Sequence, residues 1–143
     1  MGHKAGEIRV LVLGLIKEGD RTFLTQGFDS VTGETFYRAM GGGVEFGETS
    51  RAALEREFLE EINAAITNIK YLGCLESIFV HQGKKGQEII QLYECDFVDR
   101  KFYETEQINF NEGKRAKTAL WVNIQDCKER KIRVVPEEYV KYL

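Results

Sequence analysis

With 143 residues, 43% of them apolar and 30% charged, the chain has the size and composition of one domain able to bury a core without covalent staples. A net charge of -3 offers no basic face for duplex nucleic acid. Cys74, Cys95 and Cys127 form no CxxC pair, and His3 and His81 are the only histidines; this argues against a zinc site or a disulfide framework, and for reduced thiols in a cytoplasmic protein.

In chain order, Ile8 to Ile16 reads as a buried strand. It is too short to span a bilayer, which takes about 20 residues, and it lacks the small-residue cleavage site of a signal peptide. Lys17 to Arg21 turns and Thr22 to Phe28 is extended again, a hairpin signal. A polar loop over Asp29 to Glu34 leads to a short strand, Thr35 to Ala39, and Gly41-Gly42-Gly43 is expected to break any regular element. A helix capped by Thr49 or Ser50 carries Leu54, Phe58, Ile62 and Ala65 as an apolar stripe, and Asn63, tolerant of the left-handed conformation, ends it. Ile66 to Val80 and Glu88 to Phe97 read as two long strands around a loop centred on Gly83-Lys84-Lys85-Gly86, its lysines solvated. Phe102 to Lys117 is polar and irregular, Ala119 to Val122 is a last short strand, Ile124 to Arg130 is a helical turn, and Pro136 opens a C-terminal helix at its first position. This order predicts one domain over residues 1–143, of class α/β (α+β), with a mixed sheet packed by helices on both faces.

The segment Gly42 to Ala64, GGVEFGETSRAALEREFLEEINA, is the most informative stretch. On a helix, Glu57, Glu60 and Glu61 fall within a sector of roughly 100°. Like charges at that spacing repel by a few tenths of a kcal/mol per pair, so the edge is either well solvated or holds a cation. Hard oxygen donors suit magnesium, with manganese the alternative. Acidic helix faces are common; Gly42 and Glu48 at their spacings turn the reading to a metal site, because glycine lets the backbone come close to a ligand. Arg56 is suited to a bidentate bond with Glu48, against which stands a solvated surface pair worth under about 1 kcal/mol. The third glycine of a dinucleotide fold and the Gly-Lys-Ser/Thr ending of a P-loop are both missing.

Written as a pattern, these residues resemble the signature of the Nudix hydrolases, G-x5-E-x7-R-E-U-x-E-E-x-G-U with U apolar. Gly42, Glu48, Arg56, Glu57, Phe58, Glu60 and Glu61 match; Asn63 replaces the second glycine and Ala64 is the last apolar position. YRAMGGGVEFGE and GQEIIQLYECDF resemble bacterial members loosely grouped with ADP-ribose pyrophosphatases. The resemblance implies an α/β/α sandwich and metal-dependent hydrolysis of the pyrophosphate bond of a nucleoside diphosphate linked to another moiety. ADP-ribose or another nucleoside diphosphate sugar ranks first, a nucleoside triphosphate second, and diadenosine polyphosphates after them. It implies Gly42, through its carbonyl, with Glu57, Glu60 and Glu61 as ligands of Mg2+ or Mn2+, and Arg56 with Glu48 as the pair that pins loop to helix. Glu60 and Glu112 compete as the general base, ahead of Glu57 and Glu88. Substrate recognition is expected outside the box: Arg38 is placed to reach a phosphate, and Glu76 and Glu88 are expected on one face of a hairpin, the pocket side, as binding residues. Phe79, Tyr93 and Phe110 either stack a base or pack in the core. The partner is a small-molecule nucleotide, with no membrane, and a homodimer would use the N-terminal strand as its edge. The rivals are a non-catalytic nucleotide-binding regulator, expected to have lost box carboxylates, and an isoprenoid diphosphate isomerase, which calls for a placed cysteine and extra length.

Overall fold

Leu11, Val12, Leu13 and Leu15 are all buried, which a strand achieves only when both faces are covered. In the computed structural model, which describes residues 6–143 and so leaves His3 outside, they lie on β1 (Ile8–Leu15). This strand runs between β6 (Lys84–Phe97), parallel to it, and β4 (Glu34–Gly43), antiparallel to it. The remaining strands are β2 (Lys17–Glu18), β3 (Arg21–Asp29), β5 (Ile66–His81), β7 (Gln107–Glu112) and β8 (Arg115–Asn123). The 8-stranded mixed sheet has the order β5-β6-β1-β4-β3-β8-β7, with β2 paired to β3 alone.

Helices cover both faces, as expected. Leu54 and Phe58 of α1 (Ser50–Ile62) and Phe102 and Tyr103 of α2 (Lys101–Glu104) pack with Val12, Phe23 and Met40. On the other face, Cys127 of α3 (Ile124–Lys128) and Tyr139 of a 3-10 helix (Glu137–Tyr142) pack with Leu11, Leu13, Leu24 and Leu92. Tyr139 is fully buried, and its hydroxyl accepts from the Ala39 backbone N–H at 3.0 Å. No helix among the described residues is long and apolar enough to cross a membrane.

Several expectations are corrected. The early hairpin is limited to Lys17↔Thr22 and Glu18↔Arg21, because β4 inserts between β1 and β3. That also makes β1 a central strand and leaves β5 and β7 as the edges. The β5–β6 turn is the two-residue Gln82-Gly83, both at positive φ as a tight hairpin turn requires, so Lys84 and Lys85 belong to β6. Phe102 to Lys117 is not irregular: it holds most of α2, all of β7 and the start of β8. Polar residues hid it because β7 is an edge, where Gln107, Asn109 and Asn111 face solvent while Ile108 and Phe110 alternate inward. Ala65 is exposed and Ala64 buried, since the helix ends at Ile62. Pro136 is extended (ψ 149°) and precedes the last helix instead of sitting inside it.

The three glycines do not break β4. Gly41, Gly42 and Gly43 pair with Leu13, Val12 and Leu11, and there the strand changes partner, having paired with β3 up to Ala39. A Cβ on Gly41 would stand 1.9 Å from the Val12 carbonyl oxygen, and backbone cannot retreat from such a contact. Gly41→Ala should therefore cost about 2–3 kcal/mol or more, the upper range of overpacking. Urea denaturation measures it, and an unchanged midpoint would contradict the close approach.

Candidate functional site

The helix α1 is fixed at both ends. Thr49 Oγ1 accepts from the Ala52 N–H at 3.1 Å, while Ser50 bonds the Tyr93 hydroxyl at 2.7 Å. Asn63 takes the left-handed conformation (φ 53°), and the N–H groups of Asn63 and Ala64 return to Leu59 and Phe58 carbonyls at 3.1 Å each. With Leu54 and Phe58 facing the core, Glu57 and Glu61, one turn apart, face the glycine strand. A Cβ on Gly42 would lie 2.6 Å from both Glu57 carboxylate oxygens, so only glycine admits that carboxylate against β4.

Arg56 joins the pieces. Its Nε and Nη2 donate to the two oxygens of Glu48 at 3.1 and 2.6 Å, and Nη2 also reaches the Gly43 carbonyl at 3.0 Å. Its Nη1 donates to Glu57 at 3.0 Å and Glu60 at 3.2 Å. Glu48 in turn accepts from the Glu45 N–H at 2.9 Å. The Arg56 hydrogen bonds are the main reason the Glu48 carboxyl lies below its ordinary value. Glu60 is 60% exposed on the Arg56 side of the helix and does not line the cleft described next.

Glu112 closes the β7–β8 hairpin, in register with Arg115, and reaches Glu61. Burial first, then hydrogen bonds with Glu57 and Glu112, push the Glu61 carboxyl far above the usual carboxylate range. Burial alone would raise Glu112 as well, but its bond with Glu61 and the charges of Lys117 and Arg38 outweigh this and hold it low. A proton between these carboxyls accordingly sits on Glu61.

Gly42, Glu61 and Glu112 form one wall of a cleft of about 550 Å³, within the range of small-molecule sites. Arg9, Arg38, Glu88 and Lys117 line it too. Glu88 is 3% exposed and takes Arg38 Nη1 at 3.1 Å, with Arg9 Nη1 at 4.0 Å. Burial, then the Arg38 charge, lower Arg9 from its ordinary value against the pull of Glu88. Beyond lie Phe36, Phe79, His81 and Val134. His81 stands edge-on to Phe36 and 3.7 Å from the buried Asp29, not beside a cysteine. The cysteines are free, with Cys74 exposed and Cys95 and Cys127 buried.

The strand register overturns one expectation. Glu88 is opposite Ser77, and Glu76 is opposite Ile89, so the two acids project from opposite faces. Glu76 is exposed and does not line the cleft. Of the aromatics, Phe79 and Phe110 line it, Phe110 also belonging to the core, whereas Tyr93 packs against Tyr71.

A family model, the NUDIX domain, matches residues 7–143. The chain belongs to the Nudix hydrolase family. Over 72 residues it is 37% identical to the NAD-capped RNA hydrolase NudC of Pseudomonas syringae pv. tomato (strain ATCC BAA-871 / DC3000). That match takes in 50% of this chain and 25% of the relative, so the chain spans about a quarter of that protein's length. A NUDIX hydrolase from Nitrosomonas europaea superposes with a TM-score of 0.63 at 18% identity, over 91% of this chain and 82% of the other. The E. coli ORF135 protein superposes with a TM-score of 0.57, also at 18% identity, over 94% and 85%. At such identities the likeness concerns the fold.

Among the cleft residues of this Nudix domain that escaped sequence reasoning are Arg9 and Lys117. Arg9 leads the row Arg9, Leu11, Leu13, Leu15 on alternate positions of β1, so a charge at an inward position was the available signal. Among the described residues no group of three or more His, Cys, Asp or Glu side chains is set to hold a metal ion as it stands. The donor chemistry nevertheless fits one: Glu61 hydrogen-bonds to both Glu57 and Glu112, Glu57 lies against the glycine backbone, and a hard divalent cation supplies the positive charge that such a group lacks.

Arg56→Ala should lower stability by about 1–2 kcal/mol, the scale of charge-assisted bonds between partly exposed groups, with Arg56→Lys recovering less than half because it lacks the fork. Because Glu48 is held below its ordinary value, its contribution is complete above the unfolded carboxylate range and is lost as pH falls through the lowered value. Glu48→Gln should flatten the acid limb of the stability curve, read as urea midpoints across pH, and an unaltered limb would contradict the pairing.

Proposed function

We propose that the chain hydrolyses the pyrophosphate bond of a nucleoside diphosphate linked to a second group, using a divalent cation held by Glu57, Glu61 and the Gly42 carbonyl. The observation that carries this is the chain of contacts from Gly42 through Glu57 and Glu61 to Glu112, of which Gly42, Glu61 and Glu112 line a cleft that Arg9, Arg38 and Lys117 also line. Magnesium is the first choice and manganese the second, both suited to an all-oxygen donor set. Such an ion would neutralise phosphate oxygens and lower the pKa of a water nucleophile.

The chain's own groups divide the remaining work. Arg38, oriented by the buried Glu88, offers its guanidinium to a phosphate. Glu112, kept ionised beside Lys117, is the general base: it takes the proton of the attacking water as a new P–O bond forms and the bond to the bridging oxygen breaks. Glu60 is the weaker candidate for this role, and for a ligand, because its carboxylate is engaged with Arg56 outside the cleft. Arg56 and Glu48 hold loop and helix in place, and the reaction then rests mostly on positioning and charge. The cleft runs past the carboxylates to Phe36, Phe79 and Val134, which supports a substrate with a bulky group beyond the diphosphate. We rank ADP-ribose and other nucleoside diphosphate sugars first and nucleoside triphosphates second. Free thiols accord with a cytoplasmic setting.

A panel of these compounds, with NAD-capped RNA added on account of the relative's name, should yield products cut at the pyrophosphate, resolved by chromatography with magnesium or manganese present. Glu57→Gln and Glu61→Gln should abolish turnover and the rise in melting temperature that the metal gives the wild type, with circular dichroism intact. Glu112→Gln should lower kcat by about 10²–10⁴, the range for a lost general base, and Glu60→Gln should stay within a few-fold. Full activity in the Glu57 or Glu61 variant would overturn the assignment, and equal losses at Glu60 and Glu112 would overturn the choice of base.

A further inference from the structure

Arg9 Nη1 stands 4.0 Å from Glu88, which Arg38 already holds at 3.1 Å. The residue sits at the head of an apolar row on β1, 19% exposed, and its buried Nε has no hydrogen-bond partner among the described residues. Burying a charged N–H without an acceptor is costly, so a native fold that keeps one invites an acceptor from outside. The surroundings indicate which kind. Arg9 and Arg38 turn toward the same carboxylate, Glu88, which lies in register with Arg9 on the neighbouring strand. Glu88 is thus shared by two guanidiniums, and Lys117 lines the same cleft. Arg9 also feels the Glu57 and Glu112 charges, so it borders the carboxylate group.

An incoming ligand must therefore bring several acceptor oxygens and negative charge, and it must fit between the guanidiniums and the glycine strand. A diphosphate does both. We infer that Arg9 and Arg38 form a receptor for phosphate oxygens that works without metal, with Arg9 Nε as its open donor and Glu88 as the positioning residue that aims both guanidiniums. Glu88 then contacts no substrate atom, in contrast to the role expected for it from the sequence. The inference rests on the diphosphate reading of the cleft and adds to it a second anchor, carried by β1 and β4.

The probe is inorganic pyrophosphate, titrated calorimetrically into the full chain in EDTA at low salt, with Arg51→Ala as the control for a general loss of positive charge; Arg51 is 60% exposed on α1. The wild type and the control should bind alike, with affinity falling as salt rises. Arg9→Ala should weaken binding about tenfold or more, and Arg9→Lys, which keeps the charge and loses the Nε donor, should remain several-fold weaker than the wild type. Glu88→Gln separates aim from charge. Removing a carboxylate near an anion site raises affinity if only net charge matters, and lowers it if the guanidiniums lose their orientation; a fall is expected. If Arg9→Ala does not fold, as judged by circular dichroism, Arg9→Lys decides alone. Binding within twofold of the wild type in a folded Arg9 variant, a rise in Glu88→Gln, or no pyrophosphate binding by the wild type would each overturn the receptor. Pyrophosphate binding that depends on Arg9, in a chain that hydrolyses no nucleotide, would leave the receptor standing and remove the proposed activity. Hydrolysis indifferent to Arg9 would do the reverse.

Discussion

Arg56 makes three separate pieces of chain agree. Its planar fork takes both oxygens of Glu48 from the loop, the Gly43 carbonyl from the end of β4, and Glu57 and Glu60 from its own helix. No ammonium could do this, because five N–H donors in a fixed plane are needed to set directions as well as charge. The distance between α1 and the glycines follows, and Glu57 comes to rest against Gly42 at a range where a methyl group would not fit. The placement of the acidic group therefore derives from a cation that is itself outside the cleft lining.

The cleft holds two clusters of like charge, which meet where Arg9 and Lys117 come near Glu112. Carboxyls from α1 and β7 gather in one, where burial and mutual repulsion leave Glu61 protonated. Guanidiniums from β1 and β4 gather around Glu88 in the other. Because the interior screens weakly, both groups are unstable as neighbours of their own kind and favourable as hosts for opposite charge. Under the proposed function, a cation and a polyanion bound together would satisfy both groups at once.

Local features were legible in the sequence wherever chemistry and spacing coincided. The helix with its caps at Thr49 and Asn63, the Arg56–Glu48 bond and the closeness of Glu57 to Gly42 all follow from contacts within about twenty residues. What was hidden depended on partners distant in the chain. Nothing local says that β4 inserts between β1 and β3, so the extent of the first hairpin was overestimated. The glycines looked like a break because a close backbone crossing and a loop share the same letters. Glu76 and Glu88 were assigned one face, but a bulged 16-residue strand fixes its register by pairing, and the pairing separates them. Glu112 was found by position and its hairpin missed, since an edge strand carries polar residues on its open face.

That last strand has a mechanical side. The Gly42 and Glu57 partners rest on the middle of the sheet and on a helix sealed into the core, whereas Glu112 rides on a margin bonded to β8 alone. Its tip is a short turn through Gly113, at φ 61°. An edge strand has backbone bonds on one side only, so β7 also depends on Phe110 and Ile108, which pack in the core. The acid that faces the carboxylates of α1 thus owes its position to one strand pairing and to the seating of those two side chains.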